Sequence, residues 1–212
     1  MTTLVLGGSK GKTSSRLASL LSENNIPFVL ASRSVSNSCP YPQIHFDWLD
    51  EKTYGEPFKH GEISAVYIVA PPVTDMFPPM KAFIDFAFKE KRVRRFVLLS
   101  ASSLERGGPM MGQAHDYLLK LATEHEGLEY AVLRPTWFME NFSEGPHQLT
   151  IKITARYTPP HRTGKSLLSL WTILRPWRPA RWSMRSLMTW SMLFLVRSCC
   201  LMMMLPPFSP MS

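Results

Sequence analysis

Residues 7–13, Gly7-Gly8-Ser9-Lys10-Gly11-Lys12-Thr13, have the types and spacing of a phosphate cradle. A glycine-rich turn ahead of a helix lets main-chain N–H groups converge on an anion, and the positive end of the helix dipole adds to the attraction. Two spacings compete for this run. A nucleoside-triphosphate loop, G-x-x-x-x-G-K-[ST], needs its first glycine at position 6, and position 6 is Leu. The dinucleotide spacing G-x-x-G-x-x-[GS] fits Gly8, Gly11 and Ser14, with small residues where main chain must approach a diphosphate and where helix packs on strand.

The next strand tip reads Ala31-Ser32-Arg33-Ser34. An unphosphorylated ribose calls for an acid there, whereas a 2′-phosphate calls for a cation. Arg33 offers a planar fork suited to phosphate, and the flanking serines add hydroxyls, so NADP is the cofactor expected. Other chemistry-bearing residues point elsewhere. Tyr117 and Lys120 are one residue too close for the Tyr-x-x-x-Lys acid of ordinary short-chain dehydrogenases. His115, His125 and His147, with Cys39, Cys199 and Cys200, lack metal-ligand spacing, so no metal is expected. The basic run Lys89 to Arg95 reads as the end of a helix, where cations complement the dipole, and no nucleic-acid partner is expected.

These residues need a frame. Apolar runs at 3–8, Ile26 to Ala31, Gln43 to Phe46, Ala65 to Ala70, Phe96 to Ser100 and Tyr130 to Leu133 read as strands. Helical spacing recurs at 13–22, Met76 to Lys91 and Gln113 to Glu126. Strands alternating with helices predict an α/β fold, a Rossmann-like doubly wound parallel sheet. Composition divides the chain. Residues 1–150 carry 15 Lys+Arg against 16 Asp+Glu; residues 151–212 carry 9 against none, with 4 of the 6 Trp and 7 of the 13 Met. The expected domains are therefore 1–152, binding NADP, and 153–212, an irregular basic and apolar tail. Leu187 to Leu205 is apolar but holds Arg197, which argues against a membrane span. With no secretory pattern at Met1, a cytoplasmic protein is expected.

LVLGGSKGKTSSRLASLL, FVLASRS, FDWLDEKTY, VYIVAPP and LRPTWFMENF resemble the NmrA-like group of atypical short-chain dehydrogenases, and within it the fungal festuclavine and agroclavine dehydrogenases of ergot-alkaloid biosynthesis. The resemblance spans residues 1–152. It implies an NADP-dependent oxidoreductase that reduces an iminium intermediate to a clavine alkaloid, festuclavine or agroclavine. By matched position, Gly8, Ser9, Gly11, Lys12 and Thr13 would hold the diphosphate and Arg33 the 2′-phosphate. Asp47 and Trp48 would lie near the adenine, and Ala70, Pro71 and Pro72 along the ribose and nicotinamide. Trp137 and Phe138, beyond the sixth strand, would bind an indole-bearing cation by stacking and cation–π attraction of about 0.5–2 kcal/mol.

Hydride addition to C=N⁺ leaves a neutral amine, so iminium reduction needs no proton donor, and no catalytic side chain is assigned. A ketone reductase lacking one would forfeit roughly 10²–10⁴-fold. Two rival readings are a non-catalytic NADP-binding NmrA-like regulator and a protein whose basic tail mediates membrane or partner attachment. The tail has a further reading. Residues 171–177 can be encoded TGG-ACG-ATA-TTG-CGG-CCG-TGG, which from the third base reads Asp-Asp-Ile-Ala-Ala-Val, a segment of the kind the resemblance calls for. A shifted frame from about residue 153 is expected, with poor solubility and impaired activity as its consequences.

Overall fold

The computed structural model describes residues 2–136 and 202–203. β1 (Thr2–Leu6) leads through the glycine turn into α1 (Lys12–Glu23), followed by β2 (Phe28–Ser32) and β3 (Gln43–His45). Two 3-10 turns, Glu51–Thr53 and Glu56–His60, precede β4 (Ile63–Ile68); α2 (Phe77–Asp85), β5 (Arg95–Leu99), α3 (Met111–Glu124) and β6 (Glu129–Pro135) follow. The strand order is β3-β2-β1-β4-β5-β6, with the two-residue β7 (Met202–Met203) beyond β6. Each neighbouring pair from β3 to β6 is parallel, in registers such as Val5↔Leu30, Val5↔Tyr67, Val66↔Phe96 and Leu98↔Val132. This is the doubly wound sheet read from the sequence.

The chain divides into two compact units, Met1–Arg134 with Met203–Ser212, and Pro135–Met202. Nearly all described residues belong to the first. The boundary expected at 152, and the tail after it, lie outside the described residues.

Alternation along the strands builds two faces. Leu4, Leu6, Val66, Ile68, Phe96 and Leu98 enter one core cluster with Met80, Phe83 and Ile84 of α2 and Ala114, Leu118 and Leu121 of α3. The intervening Val5, Leu30 and Tyr67 are buried too, as are Leu17, Ala18 and Leu21 of α1. Phe46, Trp48, Tyr54 and Phe83 extend the α2 side as an aromatic cluster with ring centroids 5.0–5.5 Å apart. Such pairs each contribute about 0.5–1.5 kcal/mol beyond burial, and the cluster closes the core beside the short β3.

The second helix differs from its periodicity. Expected over Met76 to Lys91, it is α-helical only to Asp85 and finishes as a π-turn, Phe86–Glu90. Val93 then donates back to the Ala87 carbonyl at 2.9 Å. The basic run that follows is held locally. Lys89 pairs with Asp85 at 3.0 Å and Arg95 with Glu129 at 2.6 Å, while Lys91 lies over Phe86 and Arg94 over Phe88.

Candidate functional site

Parallel strands deliver all their following loops to one edge of the sheet. The glycine turn leaves β1 at that carboxyl edge, and its shape depends on three missing side chains. Gly7 and Gly8 have φ of +102° and +67°, which L side chains rarely adopt. A Cβ on Gly7 would lie 2.5 Å from Ser14 Oγ, and one on Gly8 would lie 2.6 Å from Ser32 Cβ. At Gly11 it would lie 2.8 Å from the Gly7 carbonyl oxygen. Ser14 Oγ, fully buried, donates to the Leu6 carbonyl at 2.8 Å and so ties α1 to the end of β1.

Gly11, at the N-cap in extended conformation, has no side chain to cap the first-turn amides. A helical bond at this end runs from Ser15 N–H to the Gly11 carbonyl at 2.9 Å. Thr13 is buried and its side chain bonds to Tyr67, whose phenol burial pushes up to about 12. What Thr13 can offer an anion is therefore its main-chain N–H.

The contacts fix the turn between two strand tips. Gly8 abuts Ser32 at the end of β2, and Gly7 abuts Val69, just after β4. Ser32 Oγ donates to the Ser34 carbonyl at 2.7 Å, and His45 Nδ1 lies 3.0 Å from the Arg33 carbonyl, so the Arg33 main chain is pinned while its side chain is exposed. A cleft of about 250 Å³ opens alongside, lined by Ser9, Lys10 and Ser15 from the turn and helix and by Ser36, Ser38, Cys39 and Tyr41 from the β2–β3 loop. That loop is braced by Gln43 Nε2, which donates to the Ser36 carbonyl at 2.8 Å.

The remaining expected contacts divide. Asp47 follows β3 and is half-buried; its Oδ1 accepts from the Leu49 N–H at 3.0 Å. The Trp48 indole is committed to the aromatic core, whereas the neighbouring Leu49 side chain is 68% exposed. After β4, Ala70 is half-buried, Pro71 buried and Pro72 exposed. Trp137 and Phe138 lie outside the described residues.

Sequence reading set Gly7 and Lys10 within the cradle run but gave neither a role of its own. The doubled glycine directly after a strand was the available signal for Gly7; the cleft that Lys10 lines is formed with the β2–β3 loop, which no spacing within the run could show. Tyr117 and Lys120 are engaged by different carboxylates. The Tyr117 phenol donates to Asp85 Oδ1 at 2.6 Å and is pushed up by burial and then by that carboxylate. Lys120 pairs with Asp116 at 2.9 Å. Among the described residues there is no cluster of His, Cys, Asp and Glu fit to hold a metal, and no helix is long and apolar enough to cross a membrane.

No family model matches the chain. Festuclavine synthase I of Penicillium roqueforti (strain FM164) is 52% identical over 158 residues, 72% of this chain and 53% of that protein. The chain is a homologue of the fungal festuclavine and agroclavine dehydrogenases. Agroclavine dehydrogenase of Claviceps fusiformis is 48% identical over 147 residues, 68% of this chain and 49% of that protein. Festuclavine dehydrogenase of Aspergillus fumigatus is 46% identical over 158 residues. The homologue thus spans about half the length of these curated relatives. Its sheet also matches UDP-glucose 4-epimerase of Thermus thermophilus, solved with NAD, at a TM-score of 0.50 and 16% identity over 63% of this chain and 54% of that one. The Brucella ovis UDP-glucose 4-epimerase matches at 0.50 and 18%, over 64% and 51%. At these identities the likeness is one of fold.

Proposed function

We propose that this chain carries the NADP(H)-binding portion of a reductase that converts an iminium carbon to the amine of a clavine alkaloid, festuclavine or agroclavine, in ergot-alkaloid biosynthesis. The observation that carries this reading is the glycine turn standing between the tips of β2 and β4, with Arg33 and no acid at the first tip. A Cβ at Gly7, Gly8 or Gly11 would collide with Ser14, Ser32 or the Gly7 carbonyl and force the turn out of this shape, and the turn leads into a helix start that no side chain caps, the arrangement that suits an anion. The names of the homologues and the NAD complex of a protein of like fold support a nicotinamide cofactor.

On this reading the main chain of Gly8, Ser9, Gly11, Lys12 and Thr13 holds the diphosphate. Arg33 grips the 2′-phosphate. Asp47 and the main chain of Trp48 stand by the adenine, Leu49 offering the apolar surface that the buried indole does not. Ala70, Pro71 and Pro72 flank the ribose and nicotinamide, and Trp137 with Phe138 receives the alkaloid ring.

When bound, NADPH supplies a hydride to the iminium carbon, whose C=N⁺ becomes a neutral amine. The chain's own work is then placement and exclusion of water rather than proton transfer. The engagement of Tyr117 with Asp85 and of Lys120 with Asp116 supports this division, since neither is spared for an acid's role. The same observation favours a second reading, a non-catalytic NADP-binding regulator. The free thiol of Cys39 fits a reducing, cytoplasmic setting.

Calorimetry with NADPH, NADP⁺ and NADH, followed by NADPH consumption with a clavine iminium, separates the readings. Preferential NADP(H) binding with turnover supports the reductase; binding without turnover is followed by grafting residues 1–152 onto the remainder of a full-length relative, where turnover supports the reductase and its absence the regulator. No heat with any nicotinamide dinucleotide refutes both.

A further inference from the structure

The eleven-residue connection from β5 to α3, residues 100–110, leaves the carboxyl edge of the sheet and returns to it at the start of α3. It is built, not slack. Leu104 N–H donates to the Ala101 carbonyl at 3.1 Å, Gly108 to Glu105 at 3.1 Å, and Gly107 to the Gly112 carbonyl of α3 at 2.8 Å. A Cβ on Gly112 would strike the Glu105 carbonyl oxygen, so the loop lies directly on the helix. Met110, at the N-cap of α3, holds φ 58° and ψ −125°, a conformation that costs a residue with a Cβ and persists only when its surroundings impose it. Its side chain is 42% exposed, one of three large apolar side chains in that state among the described residues.

The first half of the loop is held from another element. Arg134 of β6 reaches across and donates from Nη2 to the Ser102 carbonyl at 2.9 Å and to the Leu104 carbonyl at 2.8 Å, with Nε 3.4 Å from the Ala101 carbonyl. Three main-chain acceptors converging on one guanidinium are a clamp that a single-point cation such as Lys cannot reproduce. Nothing in the diphosphate cradle touches this group.

We propose that Arg134 is a positioning residue: it fixes residues 101–110 as a rigid wall at the carboxyl edge, on which Met110 presents the apolar surface that meets the ring system of the amine substrate. The assignment of Met110 to the substrate rests on the reductase reading above; the clamp does not.

The test uses the full chain, with Arg134→Met, Arg134→Lys and Met110→Gly. Hydrogen exchange of the amides of residues 102–108 should rise at least tenfold in R134M and by a smaller factor in R134K, while exchange in β1 and α1 changes less than twofold. Trypsin should cut faster after Arg106 in both. If R134M does not fold, R134K alone decides, and unchanged loop exchange in the variant that folds overturns the clamp. M110G relieves the backbone strain and should melt higher than the parent. It should nonetheless bind festuclavine, titrated in the presence of NADP⁺, at least fivefold more weakly, with the NADP⁺ affinity unchanged. Equal festuclavine affinity in M110G and parent, or none in a parent that binds NADP⁺, overturns the wall. A parent that binds no NADP⁺ defeats the reductase reading and with it the wall, while the exchange result still judges the clamp.

Discussion

Gly8→Ala tests the cradle most directly. At φ +67° an alanine incurs roughly 1–2 kcal/mol of left-handed strain. Its Cβ would also lie 2.6 Å from Ser32 Cβ and 2.8 Å from Ser32 Oγ. Carbon atoms in contact prefer about 3.5–4.0 Å, so the turn and the β2 tip must separate by about 1 Å. Overpacking of this kind costs about 1–3 kcal/mol. Together the penalties reach about 2–5 kcal/mol, more than one main-chain bond is worth, so the turn moves rather than absorbs them. A displacement of that size removes at least one charge-assisted hydrogen bond to the diphosphate, about 1.5–3 kcal/mol, and weakens NADPH binding roughly 10- to 100-fold. Titration by NADPH fluorescence reads the loss, and the melting temperature reports how much of the penalty the fold carries. Ser32→Gly in the same chain removes the collision but not the strain, and should restore about half of the lost binding energy in a double-mutant cycle. Wild-type affinity in Gly8→Ala, or no restoration by Ser32→Gly, would refute the reasoning.

Arg33→Ala should weaken NADPH by about 10- to 100-fold and leave NADH within about twofold, since one charge-assisted fork is lost and only one cofactor has the phosphate that uses it; equal losses for both would remove Arg33 from the 2′-phosphate. Ser14→Ala strips a fully buried carbonyl of its partner and should destabilise the chain by about 1–3 kcal/mol in urea denaturation. Burial pushes the Asp85 carboxyl up, but the bonds from Lys81, Tyr117 and Lys89 outweigh it and hold the group below its usual range. Its contribution is therefore complete above about pH 4–5 and fades as pH falls through the lowered native value. Urea midpoints at low and neutral pH should accordingly differ less in Asp85→Asn than in the parent. The genomic DNA across the codons for residues 148–180 should read on in another frame into an acid-bearing continuation; early stops there would end the frameshift reading.

The parallel sheet was legible because its central strands are nearly unbroken apolar runs, such as Leu4-Val5-Leu6 or Val66-Tyr67-Ile68, bounded by turn residues. Gly8 and Gly11 were legible for a related reason: a main chain that must pass within about 3 Å of another atom admits only one residue type. Periodicity could not reveal where α2 yields to its π-turn, because Phe86, Ala87 and Phe88 remain apolar on either geometry. Nor could it distinguish Trp48 from Leu49. Both are large and apolar beside Asp47, and only the positions of Phe46 and Phe83 decide which is drawn inward. Arg134 was invisible as a clamp because its three acceptors are main-chain oxygens thirty and more positions earlier, which carry no side-chain signature.

Ser32 and Gly8 leave each other no room, and this has a bearing on how dinucleotide selectivity can drift in this lineage. A side chain at position 8 would strike Ser32, so the turn stays glycine whichever coenzyme is selected. Positions 33 and 34 are exposed and lie beyond that contact. Swapping one coenzyme for the other should therefore proceed through those two sites while Gly8 stays fixed, a constraint any engineered library on this scaffold would meet in its first round.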